Sequence, residues 1–344
     1  MTLLCEVMNP RESGAFIAAN SKDVSILMEN IEPAAQQIYD SMKKKHYSKA
    51  KWKEWPLHPK VLSPETVDWI FVVDTLNFSF WLPGEKKFQL EYHNIIYEDY
   101  EALCAGINRA IEEGIHITTP SFYKNISLET IKHVFRSCNG TELPLLEERT
   151  NNLREAGEIL SSTYNNSFSN FLLKCDQDVT KVIEMVTKNF PSYRDIGIFE
   201  DRKVSFYKRV QILIADIWAC FEGETFGKFK NIEKITMFAD YRVPQALLAY
   251  GVISYSENLM RLLQNGDTLN MHSREEMEIR GCSIHVVELL RRSISNIIQH
   301  EKSFTAKILD INAVMVDFYL WDFATQNPEK VNEFPEHRTR STFY

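Results

Sequence analysis

Two stretches of this chain are apolar on every side of a helical wheel, yet each carries carboxylates, and that combination constrains the fold more than any other feature. Thr66–Leu82 reads TVDWIFVVDTLNFSFWL, with only Asp68 and Asp74 charged among seventeen residues. Ile311–Ala324 reads INAVMVDFYLWDFA, with only Asp317 and Asp322 charged. A helix apolar all round belongs to a core. A carboxylate inside it must be paired, hydrogen-bonded or protonated, because an unpaired charge there is costly. On a helix Phe318 and Asp322 share a face, while Asp317 stands about 140° from Asp322. These groups can line two walls of one cavity. Equally, each can cap a neighbouring helix or pair with an arginine, and spacing alone favours that plainer reading.

Helical periodicity runs through the rest of the chain. Val179, Val182, Ile183, Val186 and Phe190 follow the amphipathic template until Pro191 stops it, and Val210, Leu213, Ile214, Ile217 and Phe221 repeat it. Tyr100, Leu103, Ile107 and Ala110 give a further stripe closed by Gly114. Ser273 with Glu276 predicts a capping box opening a long helix through Ile279, Val286, Leu290 and Ile297. Ser63-Pro64-Glu65 predicts a cap and a first-turn proline ahead of a segment from Val67 to Trp81. Alternation at Phe88, Leu90 and Tyr92, followed by His93-Asn94 and Ile95-Ile96-Tyr97, predicts one small hairpin over Lys87–Tyr97. With 12 glycines in 344 residues, a fold of many tight turns or a glycine-rich nucleotide loop is disfavoured. The expectation is one mainly helical domain over residues 1–344, with room for two lobes around a central pocket and a minor β element.

Several functional classes are disfavoured at this point. The net charge of −8 argues against a duplex nucleic acid partner, which asks for a basic face. Six scattered cysteines, Cys5, Cys104, Cys138, Cys175, Cys220 and Cys282, form no C-x-x-C pair, and the nine histidines form no H-x-x-x-H pair; reduced thiols, no metal and no cofactor are expected. The longest apolar stretches, Val210–Phe221 and Ile311–Phe323, are too short to cross a bilayer and are interrupted by aspartate. Met1–Pro10 has neither the basic start nor the apolar core of a leader, so a cytoplasmic protein is expected.

Three motifs can carry chemistry. Ser205-Phe206-Tyr207-Lys208-Arg209 opens an amphipathic helix, where cations and free N–H groups together suit a phosphate; a solvated basic patch is the alternative. Arg338 and Arg340 offer a second clamp or a disordered basic tail. The segment from Thr236 to Gln245 (TMFADYRVPQ) breaks periodicity between two helices. It can aim Asp240 into a cleft with Phe238 beside it to stack on a planar ring. Spacing leaves open whether Asp240 is a catalytic acid or a helix cap.

Long ordered matches add a resemblance. The stretches Pro10–Ser13, Val73–Trp81, Phe190–Asp195, Val204–Arg209, Ile235–Arg242, Glu278–Cys282 and Tyr319–Asp322 resemble the queuosine salvage family of queuosine 5′-phosphate N-glycosylase/hydrolases, over nearly the entire chain. The resemblance implies a helical fold similar to DNA glycosylases of the helix-hairpin-helix class. It also implies hydrolysis of the N-glycosidic bond of queuosine 5′-monophosphate, salvaging queuine for tRNA modification. By carry-over Asp240 is the catalytic carboxylate, Phe238 a wall against the base, and His58, Asp317, Phe318 and Asp322 further ligand contacts. Tyr207, Lys208 and Arg209 remain the phosphate candidates. The glycine-rich hairpin that grips DNA backbone is missing from this sequence, which fits a mononucleotide substrate. A non-catalytic queuosine carrier or tRNA-modification adaptor is the alternative function.

Overall fold

In the computed structural model, which describes residues 6–84, 86–301 and 311–344, helices dominate and the strands form three two-stranded antiparallel sheets. Contacts divide the chain into two units. One comprises Met1–Lys49, Asp195–Gln211 and Ile232–Arg340, the other Ala50–Arg194, Ile212–Asn231 and Ser341–Tyr344.

The first unit is built on the 27-residue helix Arg274–His300. Ser273 caps it by accepting the Glu276 N–H, but the Glu276 carboxylate takes the N–H of His272 at 3.1 Å. The expected reciprocal box is thus displaced by one residue upstream. A complete box stands instead at helix Pro10–Asn20, between Asn9 and Glu12. That helix lies close against the long one because two glycines permit it. A Cβ on Gly281 would sit 2.6 Å from the Ile17 side chain, and one on Gly14 would sit 2.7 Å from Ile284. Helix Ala313–Gln326 is capped by Asn312 and buries Asp317 among Val314, Val316 and Leu320.

Two strand pairs here were not foreseen: Val24–Ile26 with Ile253–Tyr255, and the hairpin Ile196–Phe199 with Arg202–Ser205. Each strand is only three or four residues long, too short for alternation to register. The basic tail, expected to be a clamp or a disordered end, is packed. His337 and Thr339 are buried, Arg338 pairs with Glu336 at 3.2 Å, and the Arg338 carbonyl accepts the Leu269 N–H.

In the second unit the first apolar segment departs from expectation. Helix Pro64–Thr75 stops six residues before Trp81, and the chain runs on as buried irregular backbone. The reason is Arg149, fully buried on helix Leu146–Thr163. Its guanidinium donates to the carbonyls of Leu76, Phe78 and Ser79, which replaces the hydrogen bonds a helix would have supplied. Ser63 also behaves differently: it makes no side-chain cap, and its hydroxyl serves the Glu65 carboxylate. Asp68 follows the plainer reading, accepting the N–H of Phe168 and the hydroxyl of Ser167 at the start of helix Phe168–Leu173. The predicted hairpin forms as Gln89–Tyr92 with Ile95–Glu98, turning on His93 and Asn94, both at positive φ.

Helix Lys208–Cys220 gives its first four residues to one unit and the rest to the other. Among the described residues Cys104, Cys175, Cys220 and Cys282 are buried free thiols, and Cys138 is exposed; Cys5 lies outside the described residues. No described helix is long and apolar enough to cross a membrane. Within the same residues no cluster of three or more His, Cys, Asp or Glu is placed to hold a metal ion.

Candidate active site

The irregular segment between Ile235 and Tyr241 lies in the first unit, buried up to Ala239. Backbone outside helices and sheets must find other partners, and here side chains from three separate elements provide them. Gln211, in the first turn of helix Lys208–Cys220, accepts the N–H of Thr236 at 2.7 Å and its hydroxyl at 3.0 Å. Gln211 also donates to the Phe206 carbonyl at 2.9 Å. Asp317 accepts the N–H of Phe238 at 2.8 Å. Arg280 donates its Nε–H to the Ala239 carbonyl at 3.0 Å.

Asp240 itself accepts the N–H groups of Arg242 (3.0 Å) and Val243 (3.1 Å) with one oxygen, Oδ1. These lie at the start of helix Val243–Ala249. The carboxylate therefore does part of a cap's work, while Oδ2 stays out of these bonds. The residue keeps some solvent-accessible surface, as a group that meets a small molecule must. Burial is nevertheless the largest influence on its carboxyl and raises its pKa, opposed by the charge of Lys208 and by the two backbone N–H groups. Asp317 is raised much further, by burial and then by the negative charge of Asp240, with the Phe238 N–H and Lys208 opposing. Both carboxyls are thus pushed toward their protonated forms, Asp317 the more strongly, with Lys208 opposing the shift at each.

Lys208 is buried, and its charge reaches both acids. Tyr207, just before it, sits in the left-handed region at φ 50° and turns the chain from strand into helix. Arg209 is also buried. Phe238 and Phe318 meet edge to face, centroids 5.9 Å apart. One turn beyond Phe318, Asp322 accepts the Tyr47 hydroxyl at 2.6 Å, and Tyr47 packs edge-on against Tyr319. The first unit thus links Lys208, Phe238, Asp240, Asp317 and Phe318 through bonds, ring contact and charge, with Asp322 further along the same helix.

His58 belongs to the second unit. It is buried against Trp52, with Nδ1 2.8 Å from the Trp52 carbonyl and Nε2 2.9 Å from the Tyr100 hydroxyl. Burial pushes its pKa down to about 4, so the ring is neutral at pH 7. Sequence reading assigns no role to Tyr47, Gln211 or Arg280, and no local pattern marks them, since each acts on a residue at least 25 positions away.

A stability prediction follows from Asp317. Its folded-state pKa lies above the unfolded value, so its contribution is complete below about pH 4 and is lost as pH rises toward the folded value. Asp317→Asn keeps an acceptor for Phe238 and has nothing to ionise. It is expected to raise Tm at pH 7–8 by about 2–4 °C for each kcal/mol recovered, with the gain shrinking toward pH 4. Melting curves across pH check this; a gain that grows on acidification would reverse the sign.

Comparison with known proteins places this geometry in context. The profile of a family described as "Queuosine salvage protein" matches residues 57–344. A relative from Nematostella vectensis is 49% identical over 98% of this chain and 99% of its own length. One from Bos taurus is 41% identical, over 98% and 99%, and one from Schizosaccharomyces pombe is 36% identical, over 97% and 99%. Each of these relatives carries the name queuosine 5′-phosphate N-glycosylase/hydrolase.

Proposed function

Because the chain belongs to the queuosine salvage protein family, we infer that it hydrolyses the N-glycosidic bond of queuosine 5′-phosphate, with Asp240 as the catalytic carboxylate. The products are queuine and ribose 5-phosphate. The observation that carries the role of Asp240 is its geometry: Oδ1 is fixed by two backbone N–H groups, while the residue stays accessible beside a buried cation.

Breaking a ribosyl C–N bond builds positive charge on the sugar. An ionised carboxylate beside the anomeric carbon stabilises that charge and takes a proton from the attacking water. Lys208 favours the ionised form of Asp240 against the effect of its burial. Queuine carries carbon where a purine has N7, so its departure needs hydrogen bonds at the pyrimidine edge. Asp317, as a protonated acid, is suited to donate one, and the Phe238 and Phe318 rings are suited to flank the base. Asp322, held by Tyr47, is suited to the cationic amine of the queuine side chain. His58 is proposed as a ligand contact on the resemblance alone, and Tyr207, Lys208 and Arg209 are the proposed phosphate contacts. A free mononucleotide in the cytoplasm, rather than duplex nucleic acid, suits the net charge of −8.

Incubation of the purified protein with queuosine 5′-monophosphate is expected to release queuine, read by mass spectrometry; binding without release would favour the carrier. The phosphate assignment predicts a kcat/KM at least about tenfold higher for the 5′-monophosphate than for the nucleoside, a gap that Lys208→Met closes. Equal values in the wild type would remove it. The same variant tests the electrostatics. Without the cation the Asp240 pKa rises, so the acid limb of kcat/KM for the nucleoside moves to higher pH. An unmoved limb would separate Lys208 from Asp240.

A further inference from the structure

One side chain outside the proposed ligand contacts bonds the backbone immediately before Asp240. Arg280 is wholly buried in the second turn of helix Arg274–His300. Its guanidinium makes a two-pronged pair with Asp195, 3.2 Å from Nη1 to Oδ1 on one arm, and Nη1 also reaches Glu276 at 3.1 Å. Nε–H goes to the carbonyl of Ala239, the residue before Asp240. The guanidinium carbon stands 4.1 Å from the centroid of the Phe206 ring, two residues before Lys208. The Asp195 carbonyl accepts the Phe206 N–H at 3.1 Å. Buried His337, its pKa pushed down to about 3 by burial and then by the Arg280 charge, completes the surroundings.

A buried ion pair is a poor source of net stability, since desolvation cancels most of its attraction. Its geometry accounts better for its presence. The planar fork of an arginine can hold a carboxylate, a carbonyl and a ring face at fixed angles at once, which a lysine cannot. Here the held groups are the two segments that carry Asp240 and Lys208.

We propose that Arg280, oriented by Asp195, is a positioning residue for catalysis: it sets the backbone at Ala239 so that the Asp240 carboxylate meets the reacting sugar. This rests on the assignment of Asp240 made above. Arg280→Lys keeps the charge and loses the fork. Displacing a catalytic group by about 1 Å typically costs on the order of 10²-fold in rate, so kcat is expected to fall about 100-fold while KM changes less than about threefold.

A double-mutant cycle separates positioning from general loosening. In single-turnover assays on protein shown folded by circular dichroism, Arg280→Lys added to Asp240→Asn is expected to cause no further loss, because the group being positioned has already lost its charge. A kcat within about threefold of wild type in folded Arg280→Lys would overturn the proposal. So would an undiminished 100-fold loss on top of Asp240→Asn. Should Arg280→Lys fail to fold, Asp195→Asn takes its place in the same cycle, with the same expected non-additivity and the same overturning results. Wild-type turnover by Asp240→Asn alone would instead locate the failure in the assignment of Asp240.

Discussion

Asp240→Asn is expected to lower kcat by about 10³–10⁴-fold, combining loss of a general base with loss of charge stabilisation in the transition state. The substitution is unusually clean at this position. The asparagine oxygen can still accept the N–H groups of Arg242 and Val243 that Oδ1 accepts now, so the entry to helix Val243–Ala249 should survive. Burial already disfavours the charged form, so removing the charge should leave Tm unchanged or slightly raised. KM for queuosine 5′-monophosphate should move little, because the carboxylate acts on charge that develops only as the bond breaks. Steady-state kinetics with a melting curve decide the matter. A variant that turns over at the wild-type rate would mean that another group carries the chemistry.

The second large effect concerns stability. Arg149→Met is expected to cost the second unit about 3–5 kcal/mol. The guanidinium now serves four buried carbonyls, those of Leu76, Phe78, Ser79 and Pro144, the last two at 3.1 and 2.9 Å. It also lies over the rings of Phe78 and Phe80. Methionine fills similar space and donates nothing, and each buried carbonyl left without a partner costs roughly 1–3 kcal/mol before the structure relaxes. Against a typical total of about 5–15 kcal/mol that is a large share, and a fall in Tm of about 10 °C is expected. Denaturant or thermal unfolding checks it. A loss below about 1 kcal/mol would mean that water reaches these carbonyls and that the segment after Thr75 holds itself in place.

Arg149 and Arg280 mark what could be read in the sequence and what could not. Helices with a strong stripe, such as Val179–Asn189 and Lys208–Cys220, were legible because their order is local: neighbouring residues a few positions apart set the pattern. The hairpin at His93-Asn94 was legible for the same reason. Thr66–Leu82 misled because its apolar character reports burial, not conformation; Arg149, about 70 residues on, decides where the helix ends. The site divides in the same way. The break in periodicity at Thr236–Gln245 and the acids at Asp317 and Asp322 stand out as oddities against an apolar background. Gln211 and Arg280 do not, because a buried polar residue on an amphipathic helix looks the same whether it serves its own turn or a backbone group far along the chain, and Tyr47 lies in a loop just past helix Ile31–Lys44, where no periodicity marks it.

The first unit draws on three separated pieces of chain, and the bonds around Ala239 and Asp240 join residues as far apart as Asp195 and Asp317. During synthesis, then, Asp240 leaves the ribosome after Asp195 and Gln211 but before Arg280 and Asp317, which bond the two residues ahead of it. The Phe238 N–H and the Ala239 carbonyl stay bonded to water until the last long helices emerge. Loops closed over such sequence distances are entropically slow to form, so the backbone around Ala239 settles late. A chain ended short of position 317 would lack the carboxyl that holds the Phe238 N–H in place.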